Sequence, residues 1–187
     1  MMLKYTENAL SKEHCQQIIN SIDEWENDVY KRDLNFGVDA QHMTKDELEA
    51  NTVVLTKGGR GRSVQQSEFS CFDTWDGLPV YRSKVMKYGE GDYTNPHRDS
   101  MWMCQSNYWK EGTNKTAKDI VIIPLNDDYE GGQLSLGKNG EQPLEQKVGQ
   151  AIQFPQDGLE IKDKWWHGVD KVTKGTRYAL VFWNFRD

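Results

Sequence analysis

From Pro79 to the C-terminus the chain reads as short apolar and β-branched runs broken at close intervals by turn-forming residues. Few folds accept that cadence. The breaks fall at Gly89 and Gly91, Gly131-Gly132, Lys138-Asn139-Gly140, Gly149, Asp157-Gly158 and Lys174-Gly175. Between them strands are expected near 80–88, 94–99, 119–125, 132–136, 144–148, 151–155, 165–172 and 177–185. A series of short strands in one domain-sized stretch predicts a β-sandwich or a jelly-roll barrel. The run Tyr178-Ala179-Leu180-Val181-Phe182-Trp183 is apolar at every position, so its strand should be covered on both faces.

The N-terminal part has a different period. Ser11 is a good N-cap, with Leu10 before it placed to staple onto Cys15. Cys15, Ile18, Ile19, Ile22, Trp25 and Val29 then recur at helical spacing and predict an amphipathic helix over 12–30. Thr44 and Glu47 have capping-box spacing, which predicts a short second helix over 45–50. Lys57-Gly58-Gly59-Arg60-Gly61-Arg62 should interrupt regular structure as a mobile surface loop. The fold class that follows is α+β, mostly β. It reads as one domain over 1–187, with helical support over about 1–55 and a jelly-roll core over about 79–187, helices buttressing one sheet.

Composition narrows the function classes. The 187 residues include seven Trp and 11% aromatics, enough for a packed core. Asp and Glu outnumber Lys and Arg by 29 to 23, a net charge of -6, which disfavours a nucleic-acid partner held by bulk charge. Cys15, Cys71 and Cys104 are three, widely spaced and without a CxxC pair, which argues against a disulfide scaffold and for a reducing compartment. The first residues show no secretory apolar core, and no window approaches a membrane span. The expectation is a soluble cytoplasmic protein with no membrane partner.

There are only four histidines. His14 and His42 fall in the helical part and read as structural or surface residues. His97 lies in Asn95-Pro96-His97-Arg98-Asp99, and on a strand residues i and i+2 share a face, so His97 and Asp99 can converge on one point. His167, seventy positions later on another expected strand, would complete a facial triad of two histidines and a carboxylate. Such a triad leaves the opposite positions of a metal open. Taken singly these signals are weak, since an H-x-D arises by chance, His97 also reads as an ordinary strand-end residue, and His167 beside two tryptophans also reads as packing.

The surrounding sequence adds a resemblance. Tyr88-Gly89-x-Gly91-x-Tyr93-x-x-Pro96-His97-x-Asp99 is followed by Ile123-Pro124-Leu125-Asn126, Gly131-Gly132-Gln133-Leu134 and Val148-Gly149-Gln150-Ala151-Ile152-Gln153-Phe154-Pro155. His167-Gly168-Val169 and Arg177-Tyr178-Ala179-Leu180-Val181-Phe182-Trp183 complete it. In order and spacing the chain resembles the iron(II)/2-oxoglutarate dioxygenases of the prolyl-4-hydroxylase type, from about Leu10 to Phe185. The resemblance implies a double-stranded β-helix, the cupin-like jelly roll. It implies Fe(2+) held by His97, Asp99 and His167, 2-oxoglutarate and O2 as cosubstrates, and ascorbate as an accessory. Arg177, ten positions after His167, stands where the family binds the C5 carboxylate of 2-oxoglutarate, a task that suits a planar guanidinium fork; the plain alternative is a salt bridge at a strand start. Tyr88 stands where relatives line the cosubstrate pocket with a tyrosine, and equally reads as a core aromatic. Trp183 shares a face with 177, 179 and 181 and would wall the iron site or simply pack. One departure stands out. Some relatives carry a tyrosine on the third core strand that also bonds the C5 carboxylate, whereas Ile120-Val121-Ile122-Ile123-Pro124 has no hydroxyl. The second anchor must come from elsewhere.

The implied reaction couples oxidative decarboxylation of 2-oxoglutarate to succinate and CO2 with hydroxylation of a C–H bond. The leading expected substrate is a prolyl residue in a peptide or protein. The alternatives are a small metabolite or nucleobase, or a non-catalytic jelly-roll metal-binding module, against which Arg177 speaks. A zinc hydrolase is disfavoured by the same arginine and by the want of a general base. The aromatic segment 100–109 after the H-x-D is a candidate substrate cover, and Arg60 and Arg62 candidate loop contacts.

Overall fold

The computed structural model describes residues 3–22, 25–28, 61–62, 64–97, 116–137, 139–155 and 166–186. In chain order these form β1 (Lys4–Thr6), α1 (Lys12–Ser21), β2 (Glu26–Asp28), β3 (Gly61–Arg62), β4 (Val64–Glu68), β5 (Thr74–Trp75), β6 (Leu78–Tyr88) and β7 (Tyr93–His97). Then follow β8 (Thr116–Pro124), β9 (Glu130–Gly131), β10 (Leu134–Leu136), β11 (Gln142–Pro143), β12 (Ala151–Pro155), β13 (His167–Val169), β14 (Val172–Lys174) and β15 (Arg177–Arg186).

Two antiparallel sheets face each other. The larger runs β1-β12-β8-β15-β6-β4-β2, with β5 added beside β6, and the smaller runs β11-β10-β13-β7-β3. β14 and β9 form a separate pair. Strand order jumps repeatedly across the chain, as a jelly roll requires. The alternation along β15 shows how the layers are divided. Ala179, Val181 and Trp183 join a cluster that also holds Leu134, Leu136 and Val169 of the smaller sheet, so this is the space between the sheets. Leu180 and Phe182 join a second cluster with Cys15 and Ile18 of α1. β15 is therefore covered on both faces, as its unbroken apolar run predicts.

Ser11 caps α1, its hydroxyl accepting from the His14 amide at 3.1 Å. The helix ends at Ser21 rather than continuing to 30: Ile22 is extended and Glu26–Asp28 is a strand paired with β4. Asn27 and Asp28 are weak helix formers, and an open sheet edge outcompetes them. Ile22 and Trp25 nevertheless pack on the same outer cluster as Ile18, so their helical spacing reported burial correctly and secondary structure wrongly. The expected helix over 45–50 and the loop at 57–60 lie outside the described residues, while Gly61–Arg62 pairs with Tyr93 and Thr94 instead of breaking regular structure.

Strands 80–88, 151–155 and 177–185 match β6, β12 and β15 closely, and 119–125 and 132–136 correspond to β8 and β10 with shifted starts. The expected strand at 144–148 is instead a connection. Pairing is confined to Gln142–Pro143 against β10, and the segment then turns into Gly149, whose φ of 76° suits glycine. The expected strand at 165–172 divides into β13 and β14, because the chain leaves the smaller sheet at Asp170 to pair with β9. No helix among the described residues is long and apolar enough to cross a membrane.

Candidate active site

β13 lies between β10 and β7, and its first residue, His167, is the direct cross-strand partner of His97 at the end of β7. Directly opposed residues of antiparallel strands sit roughly 5 Å apart at Cα, so two histidines seventy positions apart in sequence are neighbours. His167 is buried, 5% exposed, with its ring tilted against Phe154 of the larger sheet at 5.2 Å between centroids. Asp99, the third expected ligand, and the side chain of His97 lie outside the described residues. Among the described residues alone no three His, Cys, Asp or Glu form a metal cluster.

The register between these strands contains a bulge. His167 pairs with His97 but Val169 pairs with Thr94, so Asn95 and Pro96 together oppose Gly168. Proline has no N–H for the ladder and belongs at such a bulge, and bulges gather beside active sites. The bulge fits because residue 168 has no side chain: a Cβ there would lie 2.8 Å from the Pro96 nitrogen and 2.8 Å from the Thr94 carbonyl oxygen. Both obstacles are backbone. Gly168→Ala is therefore expected to spread β13 from β7, costing about 1–3 kcal/mol of stability and weakening the hold on any metal bound between His97 and His167. Melting curves and metal titration check this, and unchanged values for both would contradict it.

Arg177 opens β15 opposite Tyr88, the last residue of β6. It faces the space between the sheets with Ala179, Val181 and Trp183, and is 1% exposed. Its guanidinium lies over the Tyr88 ring, 5.1 Å from the centroid, a cation–π contact that offsets part of its desolvation. Nη2 donates to Gln146 Oε1 at 3.1 Å. Nε is buried and has no hydrogen-bond partner, and no carboxylate among the described residues pairs with the group. The expected strand-start salt bridge is thus not what holds it. Gly132 makes room for it: a Cβ there would meet Arg177 Cδ at 2.9 Å.

Tyr88 connects this cation to the histidine strands. Its hydroxyl shares a hydrogen bond of 3.2 Å with Thr94 Oγ1. Thr94 is the partner of Val169, and Val169 is two residues from His167, a step of about 6.6 Å along a strand. Trp183, 7% exposed, belongs to the same interior cluster as Phe154. Three residues here were not singled out in the sequence: Thr94, Gln146 and Lys84. Lys84 is buried on the face of Met86 and Tyr88, with its ammonium bonded to Gln66 and 3.8 Å from Glu68. Alternation from Tyr88 would have placed Lys84 inside, but a lysine invites a surface reading.

The described interior thus holds a buried cation with an unused donor on the larger sheet and a two-histidine register on the smaller one. Comparison with known proteins gives the family. The description of the 2OG-Fe(II) oxygenase superfamily matches residues 83–185, and the chain belongs to that superfamily. PKHD-type hydroxylases are among its relatives. One from Polaromonas sp. is 40% identical over 106 residues, covering 56% of this chain and 43% of the relative, and one from Delftia acidovorans is 41% identical over 108 residues, covering 57% and 44%. The chain thus matches less than half the length of these curated relatives. Similar solved folds include the viral collagen prolyl hydroxylase of Paramecium bursaria Chlorella virus-1, determined with 2OG. Its TM-score is 0.60 at 14% identity, covering 100% of this chain and 97% of that one. A Pseudomonas putida prolyl-4-hydroxylase gives a TM-score of 0.58 at 13% identity, covering 99% and 92%. These likenesses bear out the jelly-roll expectation.

Proposed function

We propose that the protein is an iron(II)- and 2-oxoglutarate-dependent dioxygenase that hydroxylates a C–H bond, with a prolyl residue of a peptide or protein as the leading substrate. His97, Asp99 and His167 would hold the iron, which when bound supplies the dioxygen chemistry. Arg177 would hold the C5 carboxylate of 2-oxoglutarate with Tyr88 as its platform, and Trp183 would wall the site. The reaction balances as 2-oxoglutarate, O2 and R–H giving succinate, CO2 and R–OH. Ascorbate would serve only to keep the iron ferrous.

The observation that carries this reading is Arg177. A guanidinium kept out of water with its Nε–H unspent is costly unless an anion comes to it, and a dicarboxylic cosubstrate brings one. The prolyl part is supported by the two prolyl hydroxylases of similar fold and by a third, from Trichoplax adhaerens, solved with a peptide fragment. The test is iron-dependent succinate release in the presence of proline peptides, free amino acids, nucleosides and oligonucleotides. Stimulation by the peptides with a mass gain of one oxygen is expected. Stimulation only by a metabolite or nucleoside would overturn the prolyl assignment, and no 2-oxoglutarate turnover under any condition would overturn the class.

A further inference from the structure

The third core strand, which in some relatives supplies a hydroxyl to the cosubstrate, is here β8. Its interior residues, Ile120 and Ile122, are apolar and belong to the central cluster. A carboxylate bound at Arg177 therefore needs its second donor from another element. We propose that Gln146 is that donor, so that the distal carboxylate of 2-oxoglutarate is clamped between Arg177 and the side-chain amide of Gln146. The inference rests on the reading of Arg177 given above and extends it.

The chemistry of the contact orients the amide. Arginine has only donors, so the group 3.1 Å from Nη2 must be the carbonyl oxygen of Gln146, as it is placed. The NH2 of Gln146 is then turned away as a donor. On the guanidinium, Nε–H and the neighbouring Nη2–H form the edge that a carboxylate grips with two parallel bonds. Nε is the buried atom without a partner, and Nη2 is the atom Gln146 touches. A carboxylate on that edge would take the unspent Nε–H and lie beside the Gln146 amide, whose NH2 would turn to it as the second donor.

The segment carrying Gln146 is fixed at both ends. Before it, the Leu144 amide donates to the Leu134 carbonyl at 2.9 Å, and Gln133 Nε2 donates to the Leu144 carbonyl at 2.6 Å. After it, the Gly149 amide donates to the Pro124 carbonyl at 2.9 Å. Gln146 is half-buried and held to the smaller sheet on one side and to the end of β8 on the other. The departure of 144–148 from the expected strand has a use here: a connection, unlike a ladder strand, can turn a side chain toward the start of β15.

The test is calorimetric titration of the Mn(II)-loaded protein with 2-oxoglutarate and with 2-oxopentanoate, which has a methyl group in place of the distal carboxylate. Gln146→Leu should weaken 2-oxoglutarate about tenfold or more and leave 2-oxopentanoate unchanged. Gln146→Glu, whose carboxylate would occupy Arg177 itself, should weaken 2-oxoglutarate about a hundredfold. Affinity of Gln146→Leu within twofold of wild type, or an equal loss for both acids, would overturn the assignment. Arg177→Lys separates the two levels. If it loses 2-oxoglutarate while Gln146→Leu does not, the arginine reading stands and the second anchor is wrong; if it too binds normally, the clamp fails entirely.

Discussion

Arg177→Ala is expected to raise the 2-oxoglutarate concentration needed for turnover by two orders of magnitude or more while leaving iron(II) affinity within a few fold. A charged, bidentate contact in a site 1% exposed is worth far more than a surface pair, and losing one partner of such a contact costs about 3–5 kcal/mol, or roughly a hundredfold to a few thousandfold. The histidines belong to other strands and to the opposite sheet, so the metal should remain. The measurements are the 2-oxoglutarate dependence of succinate release and an iron titration. A fall in iron affinity with an unchanged 2-oxoglutarate requirement would refute the carboxylate role. A companion variant carries the opposite sign for stability. Arg177→Met keeps most of the volume but removes a buried cation with an unspent donor, and should raise the melting temperature of the ligand-free protein by a few degrees while abolishing 2-oxoglutarate binding.

Replacing a proposed iron ligand should do the reverse. His167→Ala is expected to lower iron(II) affinity by at least two orders of magnitude and to reduce succinate formation to background, with Asp99→Ala behaving likewise. A three-ligand site that loses one ligand keeps little hold on a labile ferrous ion, and no other described His, Cys, Asp or Glu cluster stands ready to replace it. Because His167 packs on Phe154, its removal also leaves a small void. His167→Gln, which fills that void without a strong ligand, separates lost packing from lost coordination. Normal iron-dependent turnover in both variants would end the metal assignment.

Much of this arrangement was legible in the residues. The unbroken apolar run of β15 foretold burial on both faces, because no other strand environment tolerates it. Arg177 at its head stood out for the same reason. His97 and His167 were each placed on a strand and read as converging on one site, whereas their direct cross-strand pairing came only with the register. What failed depended on partners far away in sequence. Helical spacing continued through Trp25, but the edge of β4 captured Glu26–Asp28 and ended the helix. Gln146 carries no local signal, since its partner is 31 residues away. The Pro96 bulge and the empty space at Gly168 define each other, and neither could be read without the register.

β15 also works as a reading frame. Along it, even-numbered residues from Tyr178 to Phe182 pack toward the α1 layer and odd-numbered ones from Arg177 to Trp183 face the interior. One residue inserted or deleted between Arg177 and Trp183 would exchange the two sets, carrying the cation to the wrong side of the sheet and large outer aromatics into the site. The strand does contain irregularities, but they fall beside Asn184, at the end remote from Arg177. Length changes are thus tolerated where the frame has already been read and forbidden where it is still in use.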